Sequence, residues 1–150
     1  MKDYIALWSE GLPKLGSRSV MFSVRVTGKY DRHLGGHWAF GSVTVKVEPS
    51  ASFEVVDDLP EDEGFRENGY LDWAIFGLLD VLMTNGFSPT VKIKVTVEAA
   101  EYCNVDSSQF AFRLAGRDAG QKALVALEER QRDAMRERPE AQKNIVRLSK

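Results

Sequence analysis

Between Val91 and Glu98 every second residue is a β-branched apolar residue, and the residues in between are lysine, threonine and glutamate. Apolar residues with a period of two predict a strand that buries one face and leaves the other in water. The same alternation runs from Val20 to Thr27 and from Val43 to Glu48, and a short strand is expected from Phe53 to Val56. Since each strand is apolar on one face only, the helices of this chain are expected to cover one side of the sheet.

Between the third and fourth strands the apolar period becomes that of an amphipathic helix. The residues with this spacing are Leu71, Ala74, Ile75, Leu78, Leu79 and Leu82. Asn85-Gly86 is expected to stop this helix, and Pro89 to prevent it from resuming. A second helix is expected after Asp106 and should end before Pro139. Asp106, Ser107 and Ser108 supply its capping chemistry, with Asp106 as the capping side chain and Gln109 at the capping-box position.

The predicted fold class is α+β, with a mixed four-stranded sheet, two helices on one face and the order β-β-β-α-β-α. A chain of 150 residues is enough for one domain and short for two. We expect a domain over residues 19–138, an N-terminal arm at 1–18 and a C-terminal tail at 139–150. The only cysteine is Cys103, so no internal disulfide can form.

Several function classes find no support in the sequence. The formal net charge of −2 does not favour a dedicated DNA-binding domain, so a nucleic acid would have to contact a local patch. No apolar run approaches the ~20 residues that cross a bilayer, and the N-terminus does not resemble a signal peptide. We therefore expect a cytoplasmic protein without a membrane partner. Neither glycine-rich phosphate-binding pattern occurs, so no nucleotide is expected.

No catalytic residue, metal or cofactor is predicted. His33 and His37 are four apart, but Gly35 and Gly36 lie between them and predict a loop, so two solvated histidines are favoured over a zinc site. The serines lack a nucleophile-elbow pattern. An enzymatic hypothesis would depend on Cys103, which lies just before a predicted helix N-terminus, and on the two histidines.

Basic residues are unevenly distributed. Those predicted on the water face of the sheet are Arg25, Lys46, Lys92 and Lys94. Those in the predicted loop between the first two strands are Lys29, Arg32, His33 and His37, with Trp38 and Phe40 beside them. A basic face with aromatics at one end suits RNA backbone contact and base stacking. An ordinary solvated sheet face is the alternative, and composition alone favours it.

Two stretches resemble domain IV of translation elongation factor G. The segment GKYDRHLGGHWAFGSV from Gly28 to Val43 is similar to the glycine loop of that domain. It matches at Gly28, Lys29, Arg32, Gly35, Gly36, Gly41 and Val43. The segment VKIKVTVEAAEYCNVDSSQFAFRLAG is similar to the strand, tip loop and helix that end the domain. It matches at Lys94, Val95, Thr96, Tyr102, Val105, Asp106, Ser107, Ser108, Ala111 and Phe112.

This resemblance covers residues 20–125 in one register and implies a left-handed β-α-β crossover, against the usual preference. In the full factor the domain enters the decoding site of the small ribosomal subunit, and two loops contact the codon–anticodon region. Cys103 stands where the family has a tip histidine, and His37-Trp38-Ala39 replaces Arg-Gly-Gln. The GTPase domain does not occur in these residues, so GTP-driven translocation is not expected of this chain itself.

The resemblance therefore leads to the hypothesis of a free-standing, non-catalytic domain that binds the ribosome, ribosomal RNA or another structured RNA in connection with translation elongation. The expected contact residues are Lys29, Arg32, His33, Gly35, Gly36, His37 and Trp38 in one loop, and Tyr102, Cys103 and Asn104 in the other. The alternative is a protein–protein interaction module of the same fold. It is motivated by the altered tip residues, the charged C-terminal helix and the N-terminal arm with Tyr4, Ile5, Leu7 and Trp8.

Overall fold

The computed structural model describes residues 19–61, 63–84 and 92–148, with side chains described up to residue 137 except that of residue 63. The strands are β1 (Val24–Leu34), β2 (His37–Pro49), β3 (Glu54–Asp57) and β4 (Ile93–Glu101). The helices are α1 (Glu63–Glu67), α2 (Tyr70–Thr84) and α3 (Gln109–Leu148). The prediction of three strands, a helix, a strand and a final helix is confirmed, and α1 is a short addition to it.

The four strands form one mixed sheet in the order β1-β2-β4-β3. β1 pairs with β2 and β2 with β4 in antiparallel fashion, whereas β3 lies parallel to β4. The parallel pair requires a crossover connection, and this crossover contains α1 and α2. A register shift between Thr44 and Val45 marks a bulge in the pairing of β2 with β4. The α+β fold class is therefore confirmed.

The prediction of a loop between the first two strands is wrong, because these residues continue β1 and β2. β1 begins four residues later than expected, at Val24, and its ladder with β2 continues to the pair of Leu34 and His37. Only Gly35 and Gly36 form the turn, with φ angles of 54° and 95°. A two-residue turn with both φ values positive matches the twist of a hairpin, and glycine adopts it without steric cost.

The helix bounds differ from the predictions at two places. α3 begins at Gln109 rather than directly after Asp106, and it continues past Pro139 to Leu148. A proline removes one helical hydrogen bond, but the helical conformation continues after Pro139. The expected stop at Asn85-Gly86 and the residues Pro89 and Val91 lie outside the described part of the chain.

One apolar core lies between the sheet and the helices. α3 lies across β1 and β2, and α2 packs beside α3. The fully buried side chains with the largest volumes come from the sheet, from α1 and from both long helices. They are Phe65, Phe112, Leu78, Leu82, Ile93, Val43, Val47, Val95 and Val97. The prediction that α2 and α3 cover the same side of the sheet is confirmed.

The two long helices approach each other at glycines. A Cβ atom placed on Gly77 would lie 1.9 Å from the carbonyl oxygen of Arg113, and one on Gly116 would lie 2.0 Å from that of Ala74. Both positions therefore put one helix backbone directly against the other. This close contact fixes where α3 begins relative to the sheet, and with it the position of the loop that precedes α3.

Candidate functional site

The turn region of the β1–β2 hairpin and the loop before α3 lie at the same end of the molecule. The backbone amide of Phe40 donates to the carbonyl of Asp106 at 3.0 Å. The hydroxyl of Ser107 donates to the carbonyl of Phe40 at 2.8 Å, and the two residues form an isolated parallel bridge. These contacts join the hairpin to the loop of residues 102–108. We call the two segments together the tip.

Ser107 also closes the loop on itself. Its hydroxyl accepts the backbone amide of Cys103 at 2.9 Å, and its own amide donates to the Cys103 carbonyl at 2.9 Å. The phenol of Tyr70, at the start of α2, donates to the Ser107 carbonyl at 3.1 Å. One serine therefore connects β2, the loop and α2, whereas the sequence pattern assigns it only to the helix cap.

The helix cap is made by Ser108. Its hydroxyl accepts the amide of Ala111 at 3.2 Å, which is the bond that a capping side chain makes to the third helical amide. The prediction that the Asp106 side chain is the cap is wrong, because the helix begins two residues further on. Gln109, expected in a capping box, instead donates to the carbonyl of Asn68 at 3.0 Å.

The hairpin extends beyond the rest of the sheet. β4 ends where Glu101 pairs with Ser42, and the ladder from Tyr30 to Leu34 pairs only with β2. Five residue pairs at about 3.3 Å each give a projection of roughly 16 Å. Its two faces differ, because side chains alternate along a strand.

One face of the projecting hairpin carries an aromatic and charged group of side chains. His33 and Trp38 form a cross-strand pair with ring centroids 5.7 Å apart in an edge-to-face arrangement. The Lys29 ammonium lies 3.0 Å from the Asp31 carboxylate and 5.3 Å from the centroid of the Phe40 ring. Trp38 is nevertheless 50% exposed.

The Asp31 carboxylate holds this face together. Its hydrogen bond from Lys29 is the main reason that its pKa lies below the ordinary value of 3.8, although desolvation opposes the shift. A hydrogen bond from the Trp38 side chain lowers the pKa of Asp31 further. Trp38 is thus close enough to Asp31 to favour the ionised carboxylate.

The other face of the hairpin carries Arg32 and His37. Both side chains are exposed, and Arg32 pairs with Ala39 whereas His37 pairs with Leu34. His33 and His37 therefore lie on opposite faces of the hairpin. Within the residues that the structure describes, no three His, Cys, Asp or Glu side chains are grouped so that they could hold a metal ion.

In the second segment of the tip, Cys103 and Asn104 are exposed, but Tyr102 is partly buried. The Tyr102 ring lies 5.9 Å from the rings of both Phe65 and Tyr70. The rings of Phe65 and Tyr70 in turn contact Phe112, which is fully buried. Tyr102 therefore packs the base of the loop against the core, and its expected role as a direct contact residue does not fit this position.

The water face of the sheet differs from the predicted basic face. Arg25 makes two hydrogen bonds to Glu98, at 2.6 and 3.0 Å, and these lower the pKa of Glu98. Lys46 and Lys94 both lie near the Glu48 carboxylate, at 3.1 and 3.7 Å. Three of the four basic residues that the sequence placed on this face lie beside a carboxylate, and two of them share Glu48, so the positive charge of this face is reduced.

The domain has relatives among known proteins. The family model described as elongation factor G, domain IV, matches residues 19–126. The chain belongs to this family. The elongation factor G of Dehalococcoides mccartyi strain 195 is 35% identical over 124 residues, and that of strain BAV1 is 34% identical over 122 residues. These matches cover 79% and 77% of this chain but only 18% and 17% of the two factors.

A solved structure supports the domain IV fold. A crystal structure of a protein from Thermus thermophilus superposes with a TM-score of 0.66 at 24% sequence identity. The match covers 78% of this chain and 18% of that one. Because the domain IV match ends at residue 126, the part of α3 from residue 127 to Leu148 continues beyond it. None of the helices in the described residues is long and apolar enough to cross a membrane.

Proposed function

We propose that this chain binds the ribosome, or another structured RNA, through its tip and takes part in translation elongation without catalysing a reaction. The observation that carries the proposal is the connection between Phe40 and Ser107, since it presents the hairpin and the second loop side by side. Membership of the domain IV family supports a role connected with translation elongation. The proposal locates the chain in the cytoplasm and needs no cofactor, metal or nucleotide.

The proposed contact surface is smaller than the set of residues predicted from the sequence. On the hairpin it consists of Arg32 and His37 on one face and His33 and Trp38 on the other, on either side of the Gly35-Gly36 turn. On the loop it consists of Cys103 and Asn104, which are exposed. Lys29 contributes less positive charge than expected, because it lies beside Asp31. Tyr102 supports the loop from beneath.

Electrostatics limits the proposed contact to the tip. The carboxylates beside Arg25, Lys46 and Lys94 reduce the attraction of the sheet face for phosphates. Each phosphate that a basic side chain neutralises releases counterions and adds to the salt dependence of binding. A contact made by one arginine, one or two histidines and stacking rings should therefore weaken with salt, but less steeply than one made by an entire basic face.

Co-sedimentation with ribosomes at low and high salt tests the proposal. The Arg32→Gln variant should pellet less than the unchanged chain at low salt. Lys92→Gln is a matched control, because Lys92 is exposed and lies beside the start of β4, at the end of the sheet opposite the tip. Equal loss in both variants would show a non-specific charge effect. No pelleting at any salt would refute the proposal.

A protein-interaction module is the second candidate, and one surface favours it. Phe76 on α2 is 42% exposed, and the Arg113 guanidinium lies 4.6 Å from its ring centroid. Exposed aromatic and arginine side chains are enriched at protein interfaces. A partner that remains bound after nuclease treatment, and is lost from the Phe76→Ala variant, would support this candidate. Loss of every partner on nuclease treatment would exclude it.

An enzymatic role for Cys103 is tested by its rate of alkylation. The Cys103 thiol is exposed and free, so a reagent reaches it without unfolding of the chain. A rate equal to that of a free cysteine would leave the enzymatic hypothesis without support. A rate well above it would contradict the proposed non-catalytic function.

A further inference from the structure

We infer that Trp38 is a stacking platform for an unpaired nucleotide base, and that it contributes binding energy without selecting the base. This inference rests on the proposed function and names the chemistry of the ligand at the tip. The tryptophan stands in a segment, His37-Trp38-Ala39, where the residues of this chain depart from the family pattern. Its role is therefore argued from its surroundings in this structure.

The Trp38 ring is held in place before any ligand binds. The edge-to-face contact with His33 restricts it from the neighbouring strand, at a centroid distance of 5.7 Å. The Asp31 carboxylate lies on the same face of the hairpin, two residues before His33 in β1, and is itself held by Lys29 at 3.0 Å. A side chain that is already fixed loses little conformational entropy on binding. Exposure of an aromatic ring to water is normally unfavourable. The Trp38 ring is exposed and already held in one position, so a ligand can cover it with little loss of side-chain entropy.

The chemistry of the exposed surface of Trp38 indicates the type of ligand. The indole has a single N–H donor and no acceptor, so Trp38 has little hydrogen-bonding capacity with which to read a base edge. Trp38 is 50% exposed, and an exposed indole ring stacks on any base and contributes about 1–3 kcal/mol per base. A base must be unpaired and turned outward to reach such a ring, so a loop, bulge or single strand is favoured over a duplex.

The charges around Trp38 indicate where the backbone of the RNA would lie. Asp31 on the same face repels phosphate, although its charge is largely offset by Lys29. Arg32 and His37 lie on the opposite face of the hairpin. A strand whose base stacks on Trp38 can place its phosphate at the edge of the narrow hairpin, near Arg32.

Tryptophan fluorescence tests this inference directly. The chain has three tryptophans, and replacing Trp8 and Trp73 by phenylalanine leaves Trp38 as the only one. Titration with a short oligoadenylate should quench its fluorescence to saturation, and oligouridylate should do so with a similar amplitude. An oligomer of the same length and charge with abasic sugars should give no quenching. Equal quenching by the abasic oligomer would overturn the inference.

Affinity measurements separate this inference from the proposed function. Trp38→Ala should weaken oligoadenylate binding by roughly fivefold to a hundredfold, while circular dichroism should show that the variant remains folded. Phe76→Ala, at an exposed aromatic on α2, is the control and should leave the affinity unchanged. If the chain pellets with ribosomes and Trp38→Ala pellets equally well, the platform is refuted and the proposed function stands. If Trp38→Ala instead loses a nuclease-resistant protein partner, the ring serves a protein and the inference is wrong.

Discussion

Ser107 and Phe40 are 67 residues apart in sequence, and the Ser107 hydroxyl donates a hydrogen bond of 2.8 Å to the Phe40 carbonyl. The same hydroxyl accepts the Cys103 amide at 2.9 Å. This side-chain oxygen therefore connects the second loop to the hairpin, beside the backbone bond from Phe40 to Asp106. The Val-Asp-Ser-Ser pattern predicts only a helix cap. In the structure Ser108 caps α3, and Ser107 joins the loop to the hairpin.

Replacing Ser107 by alanine should lower the free energy of unfolding by about 1–3 kcal/mol, because a carbonyl and an amide both lose their partner. Urea unfolding followed by circular dichroism measures the change. Ser52→Ala is the control, since Ser52 is exposed and makes only a 3.3 Å hydrogen bond to Glu54. An equal effect of the two substitutions would contradict the role of Ser107.

The position of the helix cap gives a second prediction. Ser108→Ala should destabilise the chain by about 1 kcal/mol, the usual cost of removing a capping hydroxyl. Asp106→Ala should cost less, because Asp106 contributes its carbonyl, not its side chain, to the bond with Phe40. Thermal unfolding of both variants decides between them. A larger loss of stability for Asp106→Ala than for Ser108→Ala would contradict this prediction and favour Asp106 as the capping side chain.

The contact between α2 and α3 should not tolerate a methyl group at its glycines. Gly77→Ala and Gly116→Ala should each cost roughly 1–3 kcal/mol from overpacking, although alanine has the better helix propensity by about 1 kcal/mol. Gly120→Ala should cost less, because the added Cβ would lie 2.9 Å from the Cβ atom of Val81 and 3.1 Å from the Leu78 carbonyl oxygen. Urea unfolding midpoints of the three variants rank their losses of stability. If Gly120→Ala were the most destabilised of the three, the predicted ranking would be contradicted.

The ion pair on the water face gives a pH prediction. The hydrogen bonds from Arg25 lower the pKa of Glu98 below its ordinary value of 4.5. A carboxyl whose pKa is lower in the folded than in the unfolded chain stabilises the fold above the unfolded pKa. That stabilisation is lost as the pH falls from 4.5 through the lowered value.

An NMR titration of the Glu98 carboxyl measures this shift. In Arg25→Gln the midpoint should rise towards 4.5, while Lys92→Gln should leave it unchanged. A Glu98 midpoint that is the same with and without Arg25 would show that the ion pair does not form in solution.

The sequence predicted the regular parts of the fold because their apolar residues repeat with clear periods. β4 and α2 are examples, since burial on one face leaves a period of two in the strand and of about 3.6 in the helix. The resemblance to domain IV added the family, which its match over residues 19–126 confirms. The hand of the crossover between β3 and β4 stays a prediction.

The hairpin could not be predicted from the residues of β1 alone. After Val26 its side chains are mostly polar on both faces, from Lys29 to His33, because the hairpin leaves the core and no longer needs an apolar face. The helix α1 was missed because five residues are too few to show a period. The role of Ser107 depends on Phe40, a partner that local sequence does not indicate.

Site-directed cross-linking from Cys103 tests the central claim, that the tip docks on RNA, most directly. A photoreactive group on this single exposed thiol should cross-link to ribosomal RNA when the chain is mixed with ribosomes. In a Cys103→Ser variant that carries Ser52→Cys, the group sits past the end of β2 at Pro49, roughly 30 Å along the strand from Phe40, and cross-linking to RNA should be lost. Cross-links to RNA from Cys103 alone are the predicted result. Equal cross-linking from both positions, or cross-links from Cys103 to protein only, would contradict the account.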